Sequence, residues 1–391
     1  MKPDFSAWPN FIAPRLPRSF STGGRRIKAV TGEYDYGNAR LRAKRSRLLK
    51  EADYTTLLAK NNIEEFITGL AETPYKEDVE LALTRLSGVR CVFEAVRVNL
   101  TRTLRQVHGF FEGEPRRLIE LLFRRWDRHN LLAILRGQSQ EAAPEQVLPA
   151  LIPVGQLDEV SLRELARQPG LRAVIELMTI WQLPYARALR QVEPRSGTLP
   201  DLDQLELALN RFHFASLREA VSQGNGNKAI LLEHLQTEVD RLNLMTCLRL
   251  THQPELMPLI QQRYNTAGIQ PLLIEPGGRL STQRLVELVS QAGGLESLMR
   301  GLKDTRYGPA LETAWQRYQT GTGGLSVFER GLERWHIQRL AQLFISQPLS
   351  IAIPLGYIAW KETEAANLRL IAQGVALGLN REEVRAELIL G

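Results

Sequence analysis

Three times the chain sets a carboxylate three residues ahead of an Asn-Leu pair: Asp127 with Asn130, Asp240 with Asn243, and Glu364 with Asn367. On a helix that spacing sends the acid and the amide off one face, so they can bond to each other or to a neighbouring element. Two kinds of chemistry are open to such pairs. They could line a shared surface where a partner is gripped, or they could form an internal network that orients each helix against its own unit. An Arg follows six residues after the Asn in two copies, Arg136 and Arg249, and Gln373 takes that place in the third. A tyrosine precedes each copy by 52, 55 and 57 residues, at Tyr75, Tyr185 and Tyr307. Each is expected to anchor a helix start in the core with its hydroxyl at the edge. Replacing Asn243 by Leu is expected to strand a buried Asp240.

Groups that would do covalent or metal chemistry are not arranged for it. No Gly-Lys dipeptide occurs, so there is no phosphate-binding Walker loop, and Gly224-Asn225-Gly226-Asn227-Lys228 reads as a turn and helix start. No Gly-x-Ser-x-Gly elbow is present. The six histidines, His108, His129, His213, His234, His252 and His336, have no metal-ligand spacing. Glu362 and Glu364 stand two apart, diverge on a helix and cannot share a substrate as an acid/base pair. No catalytic residue, cofactor or metal is therefore expected.

Two ordered landmarks at matching intervals, 113 and 124 residues between the acids, point to three copies of one helical unit. Sustained period-2 alternation is missing and apolar residues recur at helical spacing, so an all-α fold is expected. Helices are expected from Tyr34 to Leu58, Asn62 to Leu70, Val79 to Leu86, Ala95 to Phe111, Pro115 to Leu135 and Lys228 to Leu250. Gly137 is expected to stop the fifth of these and Ser281 to cap another. The organisation reads as a basic leader at 1–32, repeat 1 at 33–137, a linker at 138–153, repeat 2 at 154–253, a linker at 254–275 and repeat 3 at 276–391. Leu340 to Trp360 is uncharged for 21 residues, but Pro348 and Pro354 divide it, so a buried helix pair joined by a Pro turn is expected rather than a membrane span.

The chain has 391 residues, enough for more than one core. Its formal charge of +7 is unevenly placed. Residues 1 to 50 carry twelve Lys or Arg against three acids, which leaves the remainder close to neutral. A basic end on a balanced body points to an acidic neighbour, whether lipid headgroups, protein or nucleic acid. The leader is read as a loosely docked arm rather than a cleaved transit peptide, because its prolines break an amphipathic helix. Cys91 and Cys247 lie in apolar helical text and are expected to be buried thiols in a reducing compartment.

Taken together, these phrases resemble the C-type subunits of the prokaryotic V/A-type rotary ATPases, relatives of the d-type subunits of the eukaryotic V-ATPases. The likeness starts at Tyr34-Asp35-Tyr36-Gly37-Asn38-Ala39-Arg40-Leu41-Arg42-Ala43. It continues through Asp53-Tyr54-x-x-Leu57-Leu58, the three Asn-Leu phrases and Pro348-Leu349-Ser350-Ile351. Its most specific stretch is Tyr357-Ile358-Ala359-x-Lys361-Glu362-Thr363-Glu364-x-x-Asn367-Leu368-Arg369. The resemblance implies three similar helical subdomains in a pseudo-threefold funnel. It also implies a non-catalytic central-stalk role, coupling the axle subunits D and F to the membrane rotor ring on the cytoplasmic face, as a peripheral protein without small-molecule substrate or cofactor. A basic helical adaptor for nucleic acid or another acidic surface is the alternative reading.

Overall fold

The computed structural model describes residues 33–192, 201–224, 226–264, 266, 268–321 and 324–390. The expectation for the basic leader at 1–32 lies outside the described residues. Among the described residues the regular structure is helical throughout, as the absence of alternation in the sequence predicts. Helix α1 (Asp35–Arg45) leads into three short helices, α2 (Glu51–Leu58), α3 (Ile63–Ala71) and α4 (Lys76–Leu83). Two long ones follow, α5 (Gly88–Gly109) and α6 (Gly113–Ser139). After α7 (Pro144–Val147) the order returns as α8 (Glu159–Ala166), α9 (Leu171–Ile180) and α10 (Pro184–Arg190), then α11 (Leu202–Val221) and α12 (Asn227–His252). Beyond α13 (Leu256–Tyr264) it returns again as α14 (Thr282–Gln291), α15 (Leu295–Leu302) and α16 (Gly308–Gln319), then α17 (Ser326–Ser346) and α18 (Ala352–Ala376). The short α19 (Arg381–Glu387) follows.

Local chemistry explains several boundaries. Asn62 Oδ1 accepts from Glu65 N at 2.8 Å to start α3, Asp158 Oδ1 accepts from Ser161 N at 2.8 Å to start α8, and Ser281 caps α14 as its sequence position predicts. The helical text from Tyr34 to Leu58 is broken at residues 46–50, and Asp53 there reaches back to the Lys50 N–H at 2.7 Å to restart the chain as α2. Gly137 does not stop α6, which runs on to Ser139. It is buried against Val147 of α7, and an added Cβ would overlap that side chain, so the glycine serves close packing rather than termination. α17 and α18 meet at a turn containing Pro348, which resolves the uncharged stretch into two helices. Among the described residues no helix is long and apolar enough to cross a membrane.

Buried side chains gather in three cores. One joins Leu131 to Leu135 of α6 to α8–α10 and the start of α11, and another joins Leu244 to Leu250 of α12 to α14–α16 and the start of α17. The last unites α2–α5 with Leu368 and Ile371 of α18, so the first short helices pack on a long helix from the far end of the sequence. It also takes in the other halves of the long helices, including Leu118 to Trp126, Leu231 to Val239 and Ile353 to Ile358. α6 and α12 thereby each serve two cores with their two halves, whereas both halves of α18 belong to one. Cys91 and Cys247 are buried and unbridged.

Candidate functional site: three joints on the long helices

Each repeated Asn reads both backbone groups of one buried isoleucine. Asn130 Nδ2 donates to Ile152 O at 2.8 Å, and its Oδ1 accepts from Ile152 N at 2.8 Å. Asn243 does the same to Ile274 at 3.1 and 2.8 Å, and Asn367 to Ile389 at 2.8 and 3.2 Å. A carboxamide presents a donor and an acceptor side by side, which is what an unpaired N–H and C=O of one extended residue require. The sequence holds a signal for these partners, a Leu-Ile dipeptide whose Ile stands 22, 31 and 22 residues after the three asparagines.

The repeated acids hold the next stretch of chain. Asp127 accepts from the N–H groups of Gln156 and Leu157, both at 3.0 Å, and Asp240 from those of Arg279 and Leu280 at 3.0 and 3.1 Å. Glu364 accepts from Leu49 N at 2.6 Å. Leu157, Leu280 and Leu49 occupy one equivalent position, immediately before the N-cap of α8, α14 and α2. Close approach demands glycine just upstream, since a Cβ at Gly155 or Gly278 would overlap the Asp127 or Asp240 carboxylate. At the third joint the second backbone donor is replaced by the Lys361 ammonium, which pairs with Glu364 and lies 4.5 Å from the Tyr75 ring centroid.

The tyrosines complete the joints, with the Tyr75 and Tyr307 hydroxyls bonded inside the core rather than at its edge. Tyr307 Oη donates to Asp240 Oδ2 at 2.7 Å and Tyr75 Oη to Glu364 Oε1 at 2.7 Å, so Tyr307 belongs to the acid of the long helix before it and Tyr75 to that of the last long helix of the chain. Tyr185 is placed as Tyr307 is but less tightly, reaching Arg124 O one turn before Asp127 at 3.4 Å. Burial, together with the adjacent carboxylate, pushes all three phenols well above their ordinary value. Burial likewise raises Asp127 to about 6, against two backbone N–H groups that favour its charge, and raises Asp240.

The third joint is assembled from distant parts of the chain: Leu49 and Tyr75 come from the first helices, Ile389 from the segment after α19. Of the remaining repeat positions, Arg136 forms a two-point pair with Glu206 at 2.6 and 2.8 Å on the surface, and Arg249 is exposed. The structure thus sets each acid and Asn at one joint, bonds a Tyr hydroxyl to the acid in two of the three, and leaves the arginines outside. Asp127 and Asp240 are 0% exposed and Glu364 is 2% exposed. Carboxylates sealed in this way and engaged by several donors cannot reach a substrate, and the geometry is that of a clamp between helix and segment. Among the described residues no cluster of His, Cys, Asp or Glu is placed to hold a metal ion.

Comparison with known proteins finds relatives along nearly the whole chain. The chain is 27% identical over 368 residues to the C-type subunit of the A-type ATP synthase of Methanosarcina mazei, covering 93% of this chain and 94% of that relative. Identity to the corresponding A-type ATP synthase protein of Haloferax volcanii is 28%, over 91% of this chain and 97% of the relative. For that of Methanocaldococcus jannaschii it is 25%, over 91% and 86%. Residues 37–387, nearly the whole described chain, match the ATP synthase (C/AC39) subunit family. The chain belongs to that family, whose members are non-catalytic subunits of the ATP synthase complex.

Proposed function

We propose that this chain is the central-stalk coupling subunit of a V/A-type ATPase, joining the axle subunits D and F to the membrane rotor ring. On this reading three similar helical subdomains enclose a pseudo-threefold axis as a funnel and pass torque between ATP chemistry and proton or sodium transport. The observation that carries it is the third joint. By clamping the first short helices onto α18, it joins distant parts of the chain with the same chemistry that links the sets in between. A closed set of three buried clamps is stiff, because close-packed interiors transmit strain with little compression. The absence of a spanning helix among the described residues accords with a peripheral place, here assigned to the cytoplasmic face. Co-expression with subunits D and F and with the ring tests the proposal. A ternary complex that co-purifies is expected, and a chain that stays monomeric with both present would refute it.

A second reading rests on α1 and the residues just after it, where Arg42, Arg45 and Arg47 are exposed and the Arg45 guanidinium lies 4.2 Å from the Trp360 ring centroid. Interleaved cations and aromatics suit an acidic surface, including nucleic acid. Reversal of Arg42, Lys44, Arg45 and Arg47 to Glu tests it. Salt-dependent DNA affinity that disappears in this variant would favour the adaptor reading.

A further inference from the structure

The residue two before each repeated acid is also charged: Arg125 on α6, Glu238 on α12 and Glu362 on α18. Two residues turn a helix by about 200°, so these side chains leave the face opposite the joints. They converge. Arg125 Nη1 lies 3.0 Å from Glu362 Oε2 and 3.8 Å from Glu238 Oε1, so one cation serves two acids on different helices.

The surroundings are polar without being satisfied. His234 of α12 stacks on His336 of α17 with ring centroids 5.1 Å apart, and its Nε2 is 3.8 Å from Glu238. These groups border a cavity of about 230 Å³ whose apolar walls include Leu122, Trp126 and Ile358. Arg241 of α12 and Glu333 of α17 complete its charged lining. Glu362 Oε1, both ring nitrogens of His336 and Nδ1 of His234 are buried without a hydrogen-bond partner among the described residues. Two largely sequestered carboxylates, Glu238 at 11% and Glu362 at 16% side-chain exposure, cannot both remain ionised at low cost while sharing one guanidinium, and the one with the orphaned oxygen is the one that gains most from a proton.

We propose that Glu362 is a proton-binding site at the meeting point of α6, α12 and α18, with Arg125 as the group that responds to its charge. When Glu362 carries the proton, Arg125 pairs with Glu238 alone and α6 is tied by charge to α12. When the proton leaves to solvent, a second carboxylate stands at the guanidinium and α18 joins the pair. Burial, reinforced by Glu238 and Glu333 and opposed by Arg125, raises Glu362 from 4.5 to about 7. Glu238 keeps its charge, since the Arg125 and Arg128 guanidiniums together outweigh its burial. Burial holds His234 down to about 4 and His336 well below its ordinary value, so neither imidazole supplies positive charge at neutral pH. The fold therefore binds this proton more tightly than the unfolded chain does. That contribution to stability is complete below about 4.5 and is lost as pH rises through about 7.

Infrared difference spectroscopy of the full chain through a pH titration tests the site. The C=O stretch of a protonated buried carboxyl should disappear with a midpoint near neutrality, and this component should be missing in Glu362→Gln. It should persist in Asp127→Asn, which removes a separate buried acid that titrates lower. Arg125→Gln should move the midpoint upward by about one pH unit or more. Because Gln mimics the protonated acid, Glu362→Gln should fold and, above the midpoint, melt no lower than the wild type. A band unchanged in Glu362→Gln would overturn the proposal, as would a Glu362→Gln protein that fails to fold or melts lower above the midpoint.

Discussion

Tyr75 donates its phenolic hydrogen bond to Glu364 at 2.7 Å although 289 residues separate them. The same bond between Tyr307 and Asp240 spans 67 residues, so an equivalent contact acts as a local tie in one place and as the closure of the chain in another. A hydrogen bond to a charged acceptor contributes about 1.5–3 kcal/mol. Tyr75→Phe and Tyr307→Phe should each lose stability of that order in urea unfolding. Tyr185→Phe should lose less, since its hydroxyl meets a neutral carbonyl at 3.4 Å. A Tyr185→Phe loss equal to the other two would contradict this ranking of the joints.

The segment after α19 is structural. Ile389 is 3% exposed and satisfies the donor and the acceptor of Asn367, which is itself buried. Truncation after Glu387 removes both partners and leaves a buried amide unpaired, at a cost of about 1–3 kcal/mol before lost apolar burial is added. The shortened protein should melt lower, with protease sensitivity rising first around Leu49 and Tyr75, the other contributors to that joint. Unchanged melting would mean that these segments are held by something other than this clamp.

Gly278 lies where a Cβ would overlap both the Asp240 carboxylate and the Gln236 carbonyl, whereas the three atoms nearest a Cβ at Gly155 all belong to the Asp127 carboxylate. A backbone carbonyl cannot rotate away as a side chain can. Gly278→Ala should therefore destabilise more than Gly155→Ala, with the larger value in the range of about 1–3 kcal/mol typical of overpacking. Combining Asp240→Ser with Gly278→Ala should give less than the sum of the two single effects. Strict additivity in chemical denaturation would show that the glycine and the acid do not meet.

The helical class and the repeated acid and Asn positions were legible because local spacing encodes them: a helix face is fixed by residues three and four apart. The partners of those positions carry a much weaker mark, the recurring Leu-Ile dipeptide. Ile152, Leu157 and Gly155 supply backbone atoms, and backbone groups leave little side-chain signature in a sequence. The pairing of Tyr75 with Glu364 rather than with Asp127 is a matter of tertiary closure, which equal spacing along a linear chain disguises. Gly137 carried the wrong message for a related reason, since glycine marks close approach as readily as a helix end, and only Val147 across the contact decides between them. Reading Glu362 and Glu364 as divergent has a sequel in the structure, because Glu362 faces Arg125 while Glu364 faces Leu49.

Asn243→Leu should destabilise the fold, though not by stranding Asp240. That carboxylate is held by Arg279 N, Leu280 N and Tyr307, and all three contacts survive the substitution. The loss falls on Ile274, whose buried N–H and C=O would have no partner, at about 1–3 kcal/mol. Hydrogen exchange should accordingly speed up at the Ile274 amide while the Leu280 amide keeps its protection. Faster exchange at Leu280 alone would restore the explanation through Asp240.

Asp127 gives the joints a pH dependence of determinate sign. Burial raises its carboxyl from 3.8 to about 6, so between those values the folded chain holds a proton that the unfolded chain releases. Its contribution to stability therefore grows as pH falls through this window and is level above about 6. Asn at position 127 cannot take up that proton, and it also places an amide donor against the Gln156 and Leu157 N–H groups. The stability difference between wild type and Asp127→Asn should thus widen by on the order of 1–3 kcal/mol from neutral to acid pH. Comparing the two proteins pH by pH cancels the other titrating groups. A difference that stays flat, or narrows toward acid, would place the Asp127 proton in the unfolded chain as readily as in the fold.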